Sequence, residues 1–125
     1  MSWVKELLEK LLRIQDKILA NQPWLEQEAE EAEGRKSILV VEDPDGGRFP
    51  LEISGRRIKW AESEDGWMHR ITLSGDSFID ILKGTADIDE EIRLRHIRVE
   101  GVDSTLHMKK MRDAFMRLRH LFSLL

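Results

Sequence analysis

Apolar positions in this chain follow two periods, and the period switches along its length. Val4, Leu7, Leu8, Leu11, Leu12, Ile14, Ile18 and Leu19 recur at helical spacing and form a wide stripe. Lys5, Glu6, Glu9, Lys10, Arg13, Asp16 and Lys17 take the opposite face, with Glu6–Lys10 and Glu9–Arg13 as i,i+4 pairs. Ser2 can cap this helix, which is expected to run to Leu19 or Ala20. Asn21-Gln22-Pro23 breaks it, and Pro23 suits the first turn of a second helix that Gly34 stops. The carboxylates Glu26, Glu28, Glu30, Glu31 and Glu33 crowd the end of that second helix, where the macrodipole disfavours them. It is therefore expected to be short, or steadied by basic residues of the C-terminal helix.

From residue 36 the period becomes two. Ser37–Glu42 is a short β-branched run, and Asp43-Pro-Asp-Gly-Gly47 is strong turn chemistry. Phe49, Leu51 and Ile53 alternate with polar neighbours as in a half-buried strand. Pro50 cannot donate to a ladder, which places it at a strand start or on an edge. Ile58 and Trp60 mark a third strand, Glu62–Gly66 a loop, and Trp67–Leu73 a fourth strand. Three short connections in succession predict an antiparallel meander. Trp60 and Trp67 flank its last loop and can pair across it or pack separately.

The helical period then returns. Ser74 can cap a short helix carrying Phe78, Ile81 and Leu82 on one face, with Gly84 as its stop. Asp87 and Glu90 have capping-box spacing and predict a single turn near 87–92. Ile97 and Val99 alternate with His96, Arg98 and Glu100 on a strand that Gly101 ends. Asp103 or Ser104 starts a last helix on which Met108, Met111, Phe115, Leu118, Phe122 and Leu125 step by three and four.

Composition changes this picture in one respect. A chain of 125 residues is one domain on the length prior, here taken as residues 1–125 with an N-terminal helical part (1–34) and a sheet-and-helix part (35–125). Residues 1–34 carry a net charge of −4, residues 35–92 −5, and residues 93–125 +5. An acidic body with a basic C-terminal quarter argues against a general nucleic-acid binder. The basic quarter suits an anionic headgroup or an acidic partner, or is simply a solvated helix face. No cysteine is present, which excludes disulfides, iron–sulfur clusters and cysteine-based zinc sites. No apolar run reaches the ~18 residues of a membrane span. The opening Met-Ser-Trp-Val-Lys-Glu lacks signal-peptide order, and a cytoplasmic location is the expectation.

Catalytic chemistry is not written in the chain. His69, His96, His107 and His120 form no His-x-x-x-His or Glu-x-x-His pattern for a metal. His69 and His96 can approach each other if their strands are neighbours, although a sheet-surface role is simpler. No serine sits in a Gly-x-Ser-x-Gly elbow. Asp87, Asp89, Glu90 and Glu91 lack the spacing and glycine of a calcium loop. No catalytic residue, metal or cofactor is assigned. What remains is apolar: the Phe78 face and the Met108–Phe115 face can fill a closed core, line a ligand space, or offer a seam to a partner helix.

The order of these elements carries a resemblance. Ile71-Thr-Leu-Ser-Gly-Asp-Ser-Phe-Ile-Asp-Ile-Leu-Lys-Gly84, then His96-Ile-Arg-Val-Glu-Gly101, then a helix with Leu106-His-Met-Lys-Lys, resembles the sterol carrier protein type-two family of lipid-binding domains. The upstream helix and meander fit the same layout; Ile92-Arg-Leu-Arg95 stands where that family often has an aromatic residue and a glycine. The resemblance implies an α+β fold with a five-stranded, mostly antiparallel sheet and helices packed on one face. It further implies a non-enzymatic protein that binds or transfers a lipid or other hydrophobic ligand in an apolar tunnel between sheet and helices. Trp60, Phe78, Ile81, Leu82, Ile97, Met108, Met111, Phe115 and Leu118 are the expected lining, Met being flexible enough to accept varied shapes. Transient membrane-surface contact and a homodimer are compatible with it. The rival expectation is an oligomerisation or interaction module that uses the C-terminal seam and holds no ligand.

Overall fold

The computed structural model describes residues 3–22, 35–42, 46–54, 57–101 and 105–125. Within them the order is α1 (Trp3–Asn21), β1 (Arg35–Val41), β2 (Gly47–Ser54), β3 (Arg57–Trp60), β4 (His69–Leu73), α2 (Gly75–Lys83), α3 (Ile88–Arg93), β5 (Ile97–Gly101) and α4 (Thr105–Ser123). The second helix expected over 24–33, the Asp43–Asp45 turn, the Ser2 cap and the Asp103 or Ser104 helix start lie outside the described residues.

Local signals explain the helix ends. Ser74 caps α2, its Oγ accepting from the Ser77 N–H at 3.1 Å. Gly84 closes the same helix in the left-handed region at φ 80°, where a side chain is disfavoured. Asp87 caps α3 by accepting from the Glu90 N–H at 3.1 Å, as its spacing predicts. On α1, Val4, Leu8, Leu11, Leu12 and Leu19 are buried, while Leu7, Ile14 and Ile18 lie partly buried at the margin of the stripe. Each fully buried aliphatic side chain contributes roughly 1.5–3 kcal/mol. Of the i,i+4 pairs, Glu9–Arg13 stands at 3.9 Å on an exposed surface and is worth only a few tenths of a kcal/mol.

The five strands form one mixed sheet in the order β3-β2-β1-β4-β5. This corrects the meander. β1–β2, β2–β3 and β4–β5 are antiparallel, but β4 lies parallel to β1 rather than beside β3. The connection after β3 therefore crosses the sheet. It does so on the face opposite the main core, because the side chains that hold it all point there. Lys36 Nζ donates to the Asp65 carbonyl at 2.6 Å, and Arg48 Nε donates to Glu64 Oε1 at 2.6 Å. Ile38, on that same face by strand alternation, is fully buried although it lies outside the main core. Trp67 and Trp60 accordingly do not pair. Trp67 lies under the Arg70 guanidinium, 5.4 Å from its ring centroid, and Trp60 packs against Phe49 with ring centroids 6.4 Å apart.

Pro50 also departs from expectation, since β2 is an interior strand. The reason is the shortness of β3. Leu51 pairs with Trp60, the last residue of β3, so Pro50 stands opposite Ala61. The Ala61 N–H still donates to the Pro50 carbonyl at 3.0 Å. The missing proline N–H thus costs only the bond that would have closed the ladder's end.

The core face of the sheet presents Phe49, Leu51, Ile58, Leu39, Val41, Ile71, Leu73 and Ile97 to α1, α2 and α4. α1 also reaches the β3 edge through polar residues: Asp16 pairs with Arg57 at the surface, and Gln15 is buried. Gln15, 1% exposed, donates from Nε2 to the Ile58 carbonyl at 2.7 Å, and its Oε1 accepts from the Ile58 N–H at 2.9 Å. The amide satisfies both outward backbone groups of Ile58 as a neighbouring strand would. Gln15→Leu leaves both of them buried without that partner, and a loss of about 2–4 kcal/mol is expected in denaturant unfolding.

Candidate functional site

The candidate lining divides into three groups once the elements are in place. Phe78, Ile81 and Leu82 project from one face of α2 and are at most 1% exposed. Met111, Phe115 and Leu118 project from α4 and are at most 5% exposed. α2 and α4 pack directly on each other, so these six side chains form one apolar body over the sheet. Met108 is half-buried at its margin. Ile97, 2% exposed, joins from β5.

Trp60 does not join them. It lies on β3 at one edge of the sheet and is 37% exposed, whereas Ile97 lies on β5 at the other edge. Four strand spacings separate them, about 19 Å. Both face the helices, but a single small ligand contacting Trp60 and Ile97 would have to cross the whole sheet.

Other residues of the same apolar face are not singled out by the sequence. Leu121 is buried, while Leu125, assigned to the helical seam, is 60% exposed. Steps of three and four from Leu118 reach both Leu121 and Phe122, and periodicity cannot choose between them. Leu8, Leu11 and Leu12 on α1, with Leu39, Phe49 and Ile71 on the sheet, also belong to the shared core. Their signal, alternation or helical spacing, is visible in the chain, but nothing in it says which strand faces which helix.

One polar contact fixes the α2–α4 geometry. Arg119 on α4 donates from Nε to the Ile81 carbonyl at 2.9 Å and from Nη2 to the Ala86 carbonyl at 3.2 Å. The Ile81 carbonyl also accepts the Gly84 N–H of the helix cap, so the guanidinium adds a second donor there and meets the negative end of the helix dipole. Arg119→Met keeps most of the apolar stem and removes both donors. An expected loss of about 2 kcal/mol, read by thermal unfolding, checks this.

His69 and His96 do not converge. β4 and β5 are neighbours, but their antiparallel register sets His69 opposite Gly101, while His96 precedes β5 at its other end. His69 is buried on the core face rather than on the sheet surface, and His96 Nδ1 lies 2.5 Å from Glu91 Oε2. Among the described residues no group of three or more His, Asp or Glu side chains is placed to hold a metal. Among the same residues no helix is long and apolar enough to cross a membrane.

No family model matches the chain, and no curated protein matches it by sequence. Solved structures do. A structure titled as a UbiJ-SCP2 ubiquinone synthesis protein aligns over 94% of this chain and 98% of its own, at TM-score 0.60 and 14% identity. The apo form of sterol carrier protein 2 from Yarrowia lipolytica aligns over 90% of this chain and 87% of its own, at TM-score 0.57 and 16% identity. The fold is sterol-carrier-like. A third such structure, the sterol carrier protein domain 2 of Helicoverpa armigera, aligns over 91% of this chain at TM-score 0.53 and 17% identity, with 89% of its own length covered. The sterol-carrier-like fold carries the resemblance read from Ile71–Gly84 and His96–Gly101 into three dimensions: the first segment is β4 running into α2, and the second is β5 with its preceding turn.

Proposed function

We propose that this chain is a single sterol-carrier-like domain that binds or transfers a lipid or other hydrophobic ligand without catalysing a reaction. The observation that carries the reading is the fold match over nine-tenths of the chain to structures titled as sterol carrier proteins. The ligand would lie between the core face of the sheet and the α2–α4 pair, against Phe78, Ile81, Leu82, Met108, Met111, Phe115 and Leu118, with Ile97 and Trp60 at opposite ends of the face. Packing supports this over a helix-docking module. Met111, Phe115 and Leu118, which would form the seam of such a module, are buried within the chain itself. The composition and the placement of the basic residues suit a cytoplasmic carrier that takes up its ligand without a nucleic-acid partner.

Native mass spectrometry of the purified protein, followed by titration of the delipidated protein with a fluorescent fatty acid, tests the reading. A copurified apolar species, or saturable uptake that Met111→Ala alters, is the expected result. Absence of both, with Met111→Ala costing only about 2–5 kcal/mol of stability, would leave a closed core and overturn it.

A further inference from the structure

A second site lies away from the apolar body, at the end of the sheet where the parallel strands β1 and β4 finish. It is an open, largely polar cleft of about 470 Å³. Thr72, Ser74 and Ser77 line it from the β4–α2 junction, and Arg95, His96 and Arg98 line it from the turn between α3 and β5. Glu42, just past β1, completes the wall, and its N–H donates to the Leu73 carbonyl at 3.0 Å, tying the two strand ends together. Crevices outside the carboxyl ends of parallel strands are where α/β sheets commonly receive ligands.

The charges in this cleft are not equivalent. Arg98 is paired with Glu42, and His96 with Glu91. Arg95 is exposed and has no ion-pair or hydrogen-bond partner for its side chain among the described residues. Its backbone is unusual as well. At φ 63° it is the non-glycine residue in the left-handed region among the described residues. The cause is the exit from α3: the Arg95 N–H donates to the Ile92 carbonyl at 3.0 Å and the His96 N–H to the Glu91 carbonyl at 2.9 Å. That pair of bonds is a Schellman closure, and its left-handed position is usually filled by glycine or asparagine. An arginine here gives up backbone free energy and places an exposed guanidinium at the mouth of a hydroxyl-lined cleft.

We propose that this cleft binds a phosphate group, carried by a small phosphate ester or a lipid headgroup, with Arg95 as its principal contact. Guanidinium recognises phosphate through paired N–H donors. The Thr72, Ser74 and Ser77 hydroxyls line the same space, and the amino end of α2 adds a favourable dipole. Glu42 opposes an anion only weakly, because its charge is met by Arg98. The inference is independent of the lipid-carrier reading, since a phosphate needs no apolar interior.

The test is an amide NMR titration of the full chain with inorganic phosphate, glycerol 3-phosphate and dihexanoyl phosphatidic acid, each at matched ionic strength. Saturable shifts confined to Thr72–Ser77 and Arg95–Arg98 are expected. Arg95→Gly should weaken binding by about tenfold or more while holding or raising the melting temperature, because glycine suits the left-handed backbone. Arg95→Lys should recover part of the affinity. Tighter binding of the lipid than of glycerol 3-phosphate assigns the group to a headgroup, and equal binding assigns it to a soluble ester. Shifts that do not saturate, that map to the α4 lysines Lys109 and Lys110, or that survive Arg95→Gly overturn the proposal.

Discussion

Gly101→Ala is expected to lower stability by about 3–5 kcal/mol, the sum of backbone strain and a steric clash. Gly101 has φ +122°, a conformation that L side chains rarely adopt. A Cβ added there would stand 1.8 Å from the Met68 carbonyl oxygen and 2.8 Å from its carbon, both rigid backbone atoms. The position cannot relax without parting β5 from β4, where Gly101 pairs with His69. Gly66 supplies the control. It also has positive φ, +73°, but nothing lies within 4 Å of an added Cβ, so Gly66→Ala should show only the backbone cost of about 1–2 kcal/mol. Differential scanning calorimetry of the two variants separates the effects. A drop of about 10–20 °C for Gly101→Ala against a few degrees for Gly66→Ala is the expected pattern. Equal drops would show that the close approach of Met68 is not decisive.

Phe78→Ala is the second large effect, about 3–5 kcal/mol. Phe78 is 0% exposed and sits where α2, α4 and the sheet meet. Truncation removes the ring's transfer free energy and leaves a void that the surrounding helices, clamped by Arg119, are poorly able to close. Equilibrium urea unfolding measures the stability term. Titration of the same variant with a fluorescent fatty acid measures a different quantity. In a carrier, space opened beside the ligand alters uptake; in a closed core, only the stability falls. A loss below about 1 kcal/mol would mean that the Phe78 pocket collapses freely, contrary to its packing.

Much of this structure was legible because it is set by short-range physics. Ser74, Gly84 and Asp87 each act within a few residues, and each ends or begins an element as its chemistry requires. The apolar stripe of α1 and the Phe78 face of α2 follow from helical spacing alone. The pairing of β4 with β1 was not legible. Alternation says which side chains share a face and leaves the neighbour unspecified. The polar segment between Trp60 and Trp67 reads as a hairpin loop until Lys36 and Arg48 are seen to hold it across the sheet. Gln15 was hidden for a similar reason, since a glutamine in an amphipathic helix reads as part of the wet face. Only its two bonds to Ile58 reveal that it is interior. For the candidate site, helical spacing groups the residues that α2 and α4 each carry, and the packing of those two helices on each other is not written in it. The strand order that sets Trp60 and Ile97 at opposite edges of the sheet lies beyond periodicity.

The Gln15–Ile58 pair has a consequence for how copies of this chain meet one another. An edge strand with open backbone donors and acceptors is a template on which another chain can add itself, and many β-proteins aggregate by that route. Here the β3 edge is occupied at Ile58 by a side-chain amide delivered from α1. The opposite edge, β5, instead presents the exposed charges Arg98 and Glu100. The first helix is thus more than a lid on the core: while it stays docked, it occupies the Ile58 backbone groups that an added strand would use.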